Sequence, residues 1–230
     1  MLPTAILAGG LATRLRPLTE TIPKSLIEIN GEPFLAHQLR LLRANGIERV
    51  VLCAGYLGEQ IRAYAGDGRA FGLDLDYSFD GAQPLGTGGA LRRALPLLGE
   101  AFLVVYGDSY LPCDYAAAER AFLESGMLGF MSVFRNNGQW DTSNVEYSAG
   151  RILAYNKVDR TPRMCHIDYG LGAFRRAAFE AVPEGRPFDL AVLYQDLLQR
   201  GELAAWEANQ RFYEIGSHEG IRELGDFLSR

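Results

Sequence analysis

The sequence predicts an α/β fold: a mixed, mostly parallel sheet with helices on both faces, in three layers. Three observations predict it. Short apolar runs alternate with segments of helical periodicity through the first half of the chain, the order that a parallel sheet with crossover helices needs. Apolar residues make up 48% and charged residues 22% of the 230 positions, an ordinary globular balance. A chain of this length buries roughly 70% of its unfolded surface, so it needs no disulfide or metal staple. One domain spanning 1–230 is expected, since no repeat, low-complexity tract or linker interrupts it.

The elements follow in order. Thr4–Ala8 is a short apolar strand closed by Gly9-Gly10, and a long polar loop follows through Pro17 and Pro23. Pro33–Asn45 reads as a helix, with Leu35, Leu39 and Leu42 on one face and Gly46 past its end. Arg49–Ala54 is a buried strand, Leu57–Ala65 a helix and Leu73–Phe79 a strand. Thr87–Leu95 is a helix opened by Gly86-Thr87-Gly88-Gly89, and Phe102–Tyr106 is a strand ended by Gly107-Asp108. Asp114 caps a helix to Glu124, and Met127–Arg135 is a strand. From Asn137 to Ala173 strand and loop dominate, with Gly150 turning a hairpin between Asn144–Tyr147 and Ile152–Tyr155. Phe188–Arg200 and Ser217–Leu228 are helices, each with one leucine-rich face.

Charge narrows the partners. The formal net charge is −5, which argues against a nucleic-acid or anionic-membrane coat. No uncharged apolar run approaches the ~18 residues of a membrane span, and no basic region precedes the first apolar stretch, so no signal peptide is expected. Cys53, Cys113 and Cys165 are far apart with no CxxC pair; they read as buried or half-buried thiols in a reducing cytoplasm. His37, His166 and His218 lack metal-ligand spacing.

The strongest chemical signal is Leu7–Leu26, LAGGLATRLRPLTETIPKSL. Gly9 and Gly10 can adopt positive φ and let a ligand approach the backbone, whose successive N–H groups then form an anion nest. Arg14 and Arg16 add guanidinium forks suited to phosphate oxygens. Lys24, held behind Pro23, adds a mobile point charge. The string is neither GxGxxG nor GxxxxGK[ST], so the dinucleotide fingerprint and the Walker-type loop are both absent. Open α/β sheets bind ligands beyond the carboxyl ends of their strands, which puts Gly9, Gly107 and Asp108 on one rim.

These residues resemble the signature of the sugar-phosphate nucleotidylyltransferases, or NDP-sugar pyrophosphorylases, usually LAGGxGTRLxPLT followed by PKxL. Pro84-Leu85-Gly86-Thr87-Gly88-Gly89-Ala90 resembles the nucleotide loop of the mannose- and heptose-1-phosphate guanylyltransferases. Tyr106-Gly107-Asp108 resembles the strand-end aspartate motif and Phe212–Gly216 the late metal-ligand segment. The resemblance implies a Rossmann-like nucleotidyltransferase fold, with 1–110 mainly nucleotide-binding and 111–230 mainly sugar-binding. It implies transfer of a nucleoside monophosphate from a nucleoside triphosphate to a sugar 1-phosphate, releasing pyrophosphate and making an NDP-sugar for surface polysaccharide. Leu7, Ala8, Gly9, Gly10, Gln83, Pro84, Gly86, Thr87 and Gly88 would bind the nucleotide. Arg14 would neutralise the leaving pyrophosphate and Lys24 would hold phosphate oxygens. Lys157 would grip the sugar phosphate, with Asn144, Asp168, Tyr169 and Gly170 lining the sugar pocket. Asp108 and Glu214 would hold Mg²⁺, which takes one or two protein carboxylates plus substrate phosphates.

Three positions depart from the family pattern. Ala12 stands where Gly is usual, Glu214 where Asp is usual, and Asn156-Lys157 where many members have Glu-Lys. GTP and a heptose- or mannose-type acceptor are favoured because PLGTGGA resembles the guanylyl branch. A uridylyl-, thymidylyl- or cytidylyltransferase acting on another sugar phosphate or a phosphocholine-like acceptor stays open, as does a non-catalytic nucleotide-binding subunit. A homodimer is also open. The chain ends soon after Glu214, so a transferase without an added acetyltransferase or regulatory domain is expected.

Overall fold

The computed structural model describes residues 1–10 and 15–230. In chain order the strands and helices are β1 Thr4–Ala8, β2 Glu28–Ile29, β3 Glu32–Pro33, α1 Phe34–Ala44, β4 Arg49–Ala54, α2 Gly58–Ala65 and β5 Asp74–Phe79. There follow α3 Gly86–Leu98, β6 Ala101–Tyr106, β7 Ser109–Tyr110, α4 Tyr115–Ser125, β8 Gly129–Arg135, β9 Val145–Ser148 and β10 Arg151–Tyr155. The chain closes with β11 His166–Arg175, α5 Leu190–Gln199, β12 Leu203–Ala208, β13 Tyr213–Glu214 and α6 His218–Leu228.

Among the described residues, nine strands form one mixed sheet. β5, β4, β1 and β6 lie side by side and parallel. β11 joins antiparallel to β6, β8 antiparallel to β11, and β12 parallel to β8. The β9–β10 hairpin meets the start of β11 where Val145 pairs with His166. Its turn holds Ala149 and Gly150 both at positive φ, as a two-residue hairpin matched to strand twist requires.

Side-chain alternation splits the apolar residues between the two faces of the sheet. Ile6, Leu52, Leu103 and Val105 pack toward α1, α2 and α4 through Leu39, Ile61 and Phe122. Ala5, Val51, Cys53 and Val104 pack toward α3 and α5 through Leu91, Leu95, Leu193 and Leu197. The three layers expected from the sequence are therefore present. A smaller cluster of Ile29, Phe34, Ile215 and Leu224 seats α6. Asp114, Asp189 and Ser217 accept hydrogen bonds from first-turn amides and cap α4, α5 and α6.

Two expectations are corrected, and one further strand is found. α3 runs on through Pro96 to Leu98. The proline removes one donor, but Leu95 and Leu98 are both buried against the sheet and carry the turn. β12 is a strand that its composition, Leu203-Ala204-Ala205-Trp206-Glu207-Ala208, does not announce; pairing with β8 overrides weak β propensity. Cys165 is exposed, whereas Cys53 and Cys113 are buried, and all three are free thiols. No helix among the described residues is long and apolar enough to cross a membrane.

Candidate active site

The carboxyl ends of β1 and β6 open onto a cleft of about 430 Å³, where an open α/β sheet binds its ligands. Gly9 and Gly10 form one wall, Pro84, Gly86 and Thr87 face them, and Lys24 and Asp108 lie on the same lining. A Cβ on Gly9 would sit 3.2 Å from the Gly55 amide nitrogen and 3.4 Å from Asp80 Oδ2. Neither Gly9 nor Gly10 adopts positive φ, so the expected left-handed backbone is corrected: glycine serves close approach at position 9, and among the described residues nothing lies within 4 Å of a Cβ at position 10.

Asp108 is carried by a tightly held turn. Gly107 N donates to Leu7 O at 2.9 Å, and a Cβ on Gly107 would lie 2.7 Å from that oxygen. The buried side chain of Gln38 on α1 donates to Tyr106 O at 2.8 Å and Ser109 O at 2.9 Å, clamping both ends of the turn. β7 pairs with β13, setting Glu214 opposite Ser109, and Ile215 N donates to Asp108 O at 3.0 Å. Asp108 and Glu214 thus come from adjacent backbones. Lys24, in the one-turn helix after Pro23, brings its ammonium 2.6 Å from Asp108 Oδ2. Asp108 and Lys24 at the end of a glycine-walled cleft suit a phosphate group and its counter-ion, whereas Glu214 is not on the cleft lining. Among the described residues, no group of three or more His, Cys, Asp or Glu could hold a metal.

A second cluster surrounds Asp168 on β11. Asp168 N donates to Asn144 Oδ1 at 3.0 Å, and Asp168 Oδ1 accepts from Gly170 N at 3.1 Å. Burial pushes the Asp168 carboxyl up, while Lys157, the Gly170 amide and the Tyr106 hydroxyl each favour its charged form. Tyr155, 4% exposed, has its hydroxyl buried without a hydrogen-bond partner among the described residues.

Residues 4–139 match the family described as Nucleotidyl transferase. The chain belongs to the nucleotidyl transferase family. It is 43% identical over 114 residues to the N-acetylmuramate alpha-1-phosphate uridylyltransferase of Neisseria meningitidis serogroup B, covering 49% of each chain. It is 33% identical over 190 residues to the mannose-1-phosphate guanylyltransferase of Mycobacterium tuberculosis, covering 79% of this chain and 51% of that one. The chain spans about half the length of the curated relatives it matches. The crystal structure of HddC from Yersinia pseudotuberculosis complexed with GMP-PN superposes with a TM-score of 0.80 at 24% identity, over 99% of this chain and 100% of that one; that likeness shows the fold.

In this chain Leu7, Ala8, Gly9, Gly10, Pro84, Gly86 and Thr87 line the cleft with Lys24 and Asp108. Arg14 lies outside the described residues. Gln83 is exposed and off the cleft wall, not on it. Gly88 is buried instead of facing a ligand: Gly88 N and Gly89 N donate to Phe188 O at 2.9 and 3.1 Å. Thr87 Oγ1 accepts from Leu190 N at 2.8 Å and donates to Asp189 Oδ1. Much of the Gly86–Gly89 string therefore docks α3 onto the start of α5. Tyr169 is corrected outright. It is 1% exposed and packs against Phe134 and Phe212 on the opposite face of the sheet from Asp168, because neighbours on a strand point to opposite faces. Gly170 sits at φ +99° and makes room for the Tyr106 ring, 3.4 Å from where its Cβ would be, and not for a ligand ring. Asn144 turns its side-chain oxygen inward to Asp168 N. Lys157 is exposed near Asp168. Asn156 forms a turn, accepting from Val158 N and Asp159 N.

Three contributors escaped the motif reading: Asp80, Gln38 and the Tyr106 side chain. Asp80 is 7% exposed on the cleft wall and accepts from Leu85 N at 3.1 Å. A buried polar residue in an apolar helix face, as Gln38 is, was the one available signal; its partners lie 68 and 71 positions away.

Proposed function

We propose that this transferase moves a nucleoside monophosphate from a nucleoside triphosphate to a sugar 1-phosphate, releasing pyrophosphate and forming an NDP-sugar. A heptose- or mannose-type acceptor and GTP are favoured. The observation that supports this reading is Lys24 beside Asp108 on the lining of the glycine-walled cleft, with Lys157 acting on Asp168 further along. Such a displacement rests on positioning and charge stabilisation and needs no protein nucleophile.

In this reading Lys24 holds phosphate oxygens of the triphosphate and Arg14 neutralises the leaving pyrophosphate. Lys157 takes the sugar phosphate while Asp168, backed by Asn144, accepts from sugar hydroxyls. The backbone around Gly9, Gly10 and Gly86 flanks the nucleotide. Asp108, in the turn before β7, and Glu214 on β13, which pairs with β7, would supply the one or two protein carboxylates that Mg²⁺ takes alongside substrate phosphates. When bound, that ion would neutralise phosphate charge. Residues 1–110 would serve mainly the nucleotide and 111–230 mainly the acceptor, within a single domain. A cytoplasmic setting accords with three free thiols.

One observation favours a second reading of the base. The 43% identical relative carries a uridylyltransferase name, and Gln83, off the cleft wall, does not arbitrate. The test is pyrophosphate release with Mg²⁺ across the common nucleoside triphosphates, against a panel of sugar 1-phosphates and phosphocholine. Release that needs GTP together with a mannose- or heptose-type phosphate is expected. Release with UTP alone moves the reading to the uridylyl branch. Silence across the panel with nucleotide still bound favours a non-catalytic subunit.

A further inference from the structure

The turn between β4 and α2, residues 55–60, touches the string Leu7–Leu26 at two separate places. The first contact is at the start of the string. A Cβ on Gly55 would lie 2.8 Å from Gly9 O and 3.0 Å from Asp80 Oδ2, so glycine is needed for the two backbones to approach this closely. The second contact is later in the string. There the Tyr56 hydroxyl donates to Glu20 O at 2.8 Å, and Gln60 Nε2 donates to Thr21 O at 3.0 Å. The turn itself is held firmly. Gly58 N donates to Gly55 O and Gln60 N to Leu57 O, both at 3.0 Å, and a Cβ on Gly58 would come within 2.8 Å of Ala54 Cβ. Leu57 sits at φ +55°, a left-handed conformation that a leucine keeps only where its surroundings impose it.

Glu20, Thr21 and Ile22 are exposed, whereas Thr19 and Pro23 on either side of them are buried. Water could satisfy the Glu20 and Thr21 carbonyls, so the two side-chain donors fix where this stretch lies and relieve no buried polar group. The link from Thr21 to Lys24 is short and stiff. Pro23 locks its own φ at −64° and restricts Ile22 before it. Beyond it, Leu26 N donates to Pro23 O and Ile27 N to Lys24 O. We propose that the 55–60 turn braces the phosphate end of the cleft: Tyr56 and Gln60 are positioning residues that set Lys24 where it meets the phosphates of a nucleoside triphosphate. This rests on the phosphate-holding role of Lys24 in the proposed function and adds the groups that place it. Tyr56 and Gln60 are not on the cleft lining, whereas Lys24 and Ser25 are, so the brace acts through the backbone between Glu20 and Lys24.

The experiment measures GTP and UTP affinity by calorimetry, without acceptor, in wild type, Tyr56→Phe, Gln60→Ala and their double variant. The same set is then repeated with Lys24→Ala added to each. Both brace side chains are exposed, so urea midpoints should match that of wild type. Loss of one hydrogen bond should weaken triphosphate binding about threefold to fivefold, and loss of both about tenfold. In the Lys24→Ala background the same changes should cost less than about twofold, because residues that act through one another are non-additive. Equal losses with and without Lys24 overturn the proposal, since they mark a merely structural role. Wild-type affinity in the double variant, beside weakened binding in Lys24→Ala, overturns the brace and leaves the reading of Lys24 standing. If Lys24→Ala binds the triphosphate as wild type does, or wild type binds neither triphosphate, the functional reading itself fails and the brace falls with it.

Discussion

Lys24 and Asp108 sit 84 positions apart in the chain and 2.6 Å apart in space. Partly exposed ion pairs of this kind contribute about 0–1 kcal/mol to stability. Lys24→Ala should therefore leave urea unfolding almost unchanged while lowering kcat by roughly 10²–10³, the usual loss when a charge-stabilising donor is removed. Full turnover in that variant would end the assignment of Lys24 to phosphate. Asp80 makes a different case, because burial pushes its carboxyl above the ordinary 3.8, with the Leu85 amide and Arg93 opposing. A raised acid binds more protons folded than unfolded just above that value, so its contribution to stability falls as pH rises through the window. Asp80→Asn keeps an acceptor for Leu85 N and removes the charge. Its stability relative to wild type should grow as pH rises from about 4 in urea titrations. A difference that stays constant with pH would mean that desolvation of the charge is not the cause.

At the scale of elements, the decisive contact joins the start of α3 to the segment before α5. A Cβ on Gly89 would meet Arg186 O at 2.7 Å and one on Gly88 would meet the Phe188 ring at 2.7 Å. The Arg186 oxygen is backbone and cannot swing aside. Gly89→Ala should cost about 1–3 kcal/mol through overpacking, read as a lower urea midpoint at constant slope. It should also weaken nucleotide binding, since Gly86 and Thr87 on the same turn line the cleft. An unaltered midpoint would show that the segment yields. The string that resembles a ligand-binding loop is thus also a packing device, which its glycines alone do not reveal.

Across the whole molecule, both cores share one sheet. Neighbouring residues of β1, Ala5 and Ile6, serve opposite cores, so neither side can lose its packing without disturbing the other. Urea unfolding followed by tryptophan fluorescence, which reports partly through Trp206 on β12, should coincide with far-UV circular dichroism in a single transition. Two separated transitions would break the single-domain description of 1–230 and leave its halves as independent units.

Local pattern made much of this protein legible. Apolar alternation, Gly punctuation and Asp114 as a cap follow from interactions within a few residues, so helices, strands and the LAGG…PKSL rim could be read along the chain. The nucleotidyl transferase family was legible for the same reason, because its motif is contiguous. Long-range geometry was not. Tyr169 lost its expected place beside Asp168 because strand parity turned it into the opposite core. Gln83 dropped off the cleft wall and Asp80 took a place on it, three residues earlier in the same loop. Gln38, Tyr106 and the α3–α5 docking each depend on partners tens of residues away or more. Backbone propensity and hydrophobic period act locally and specify elements. Which side chain meets which across the sheet depends on register and packing, and those exist only once the chain has folded.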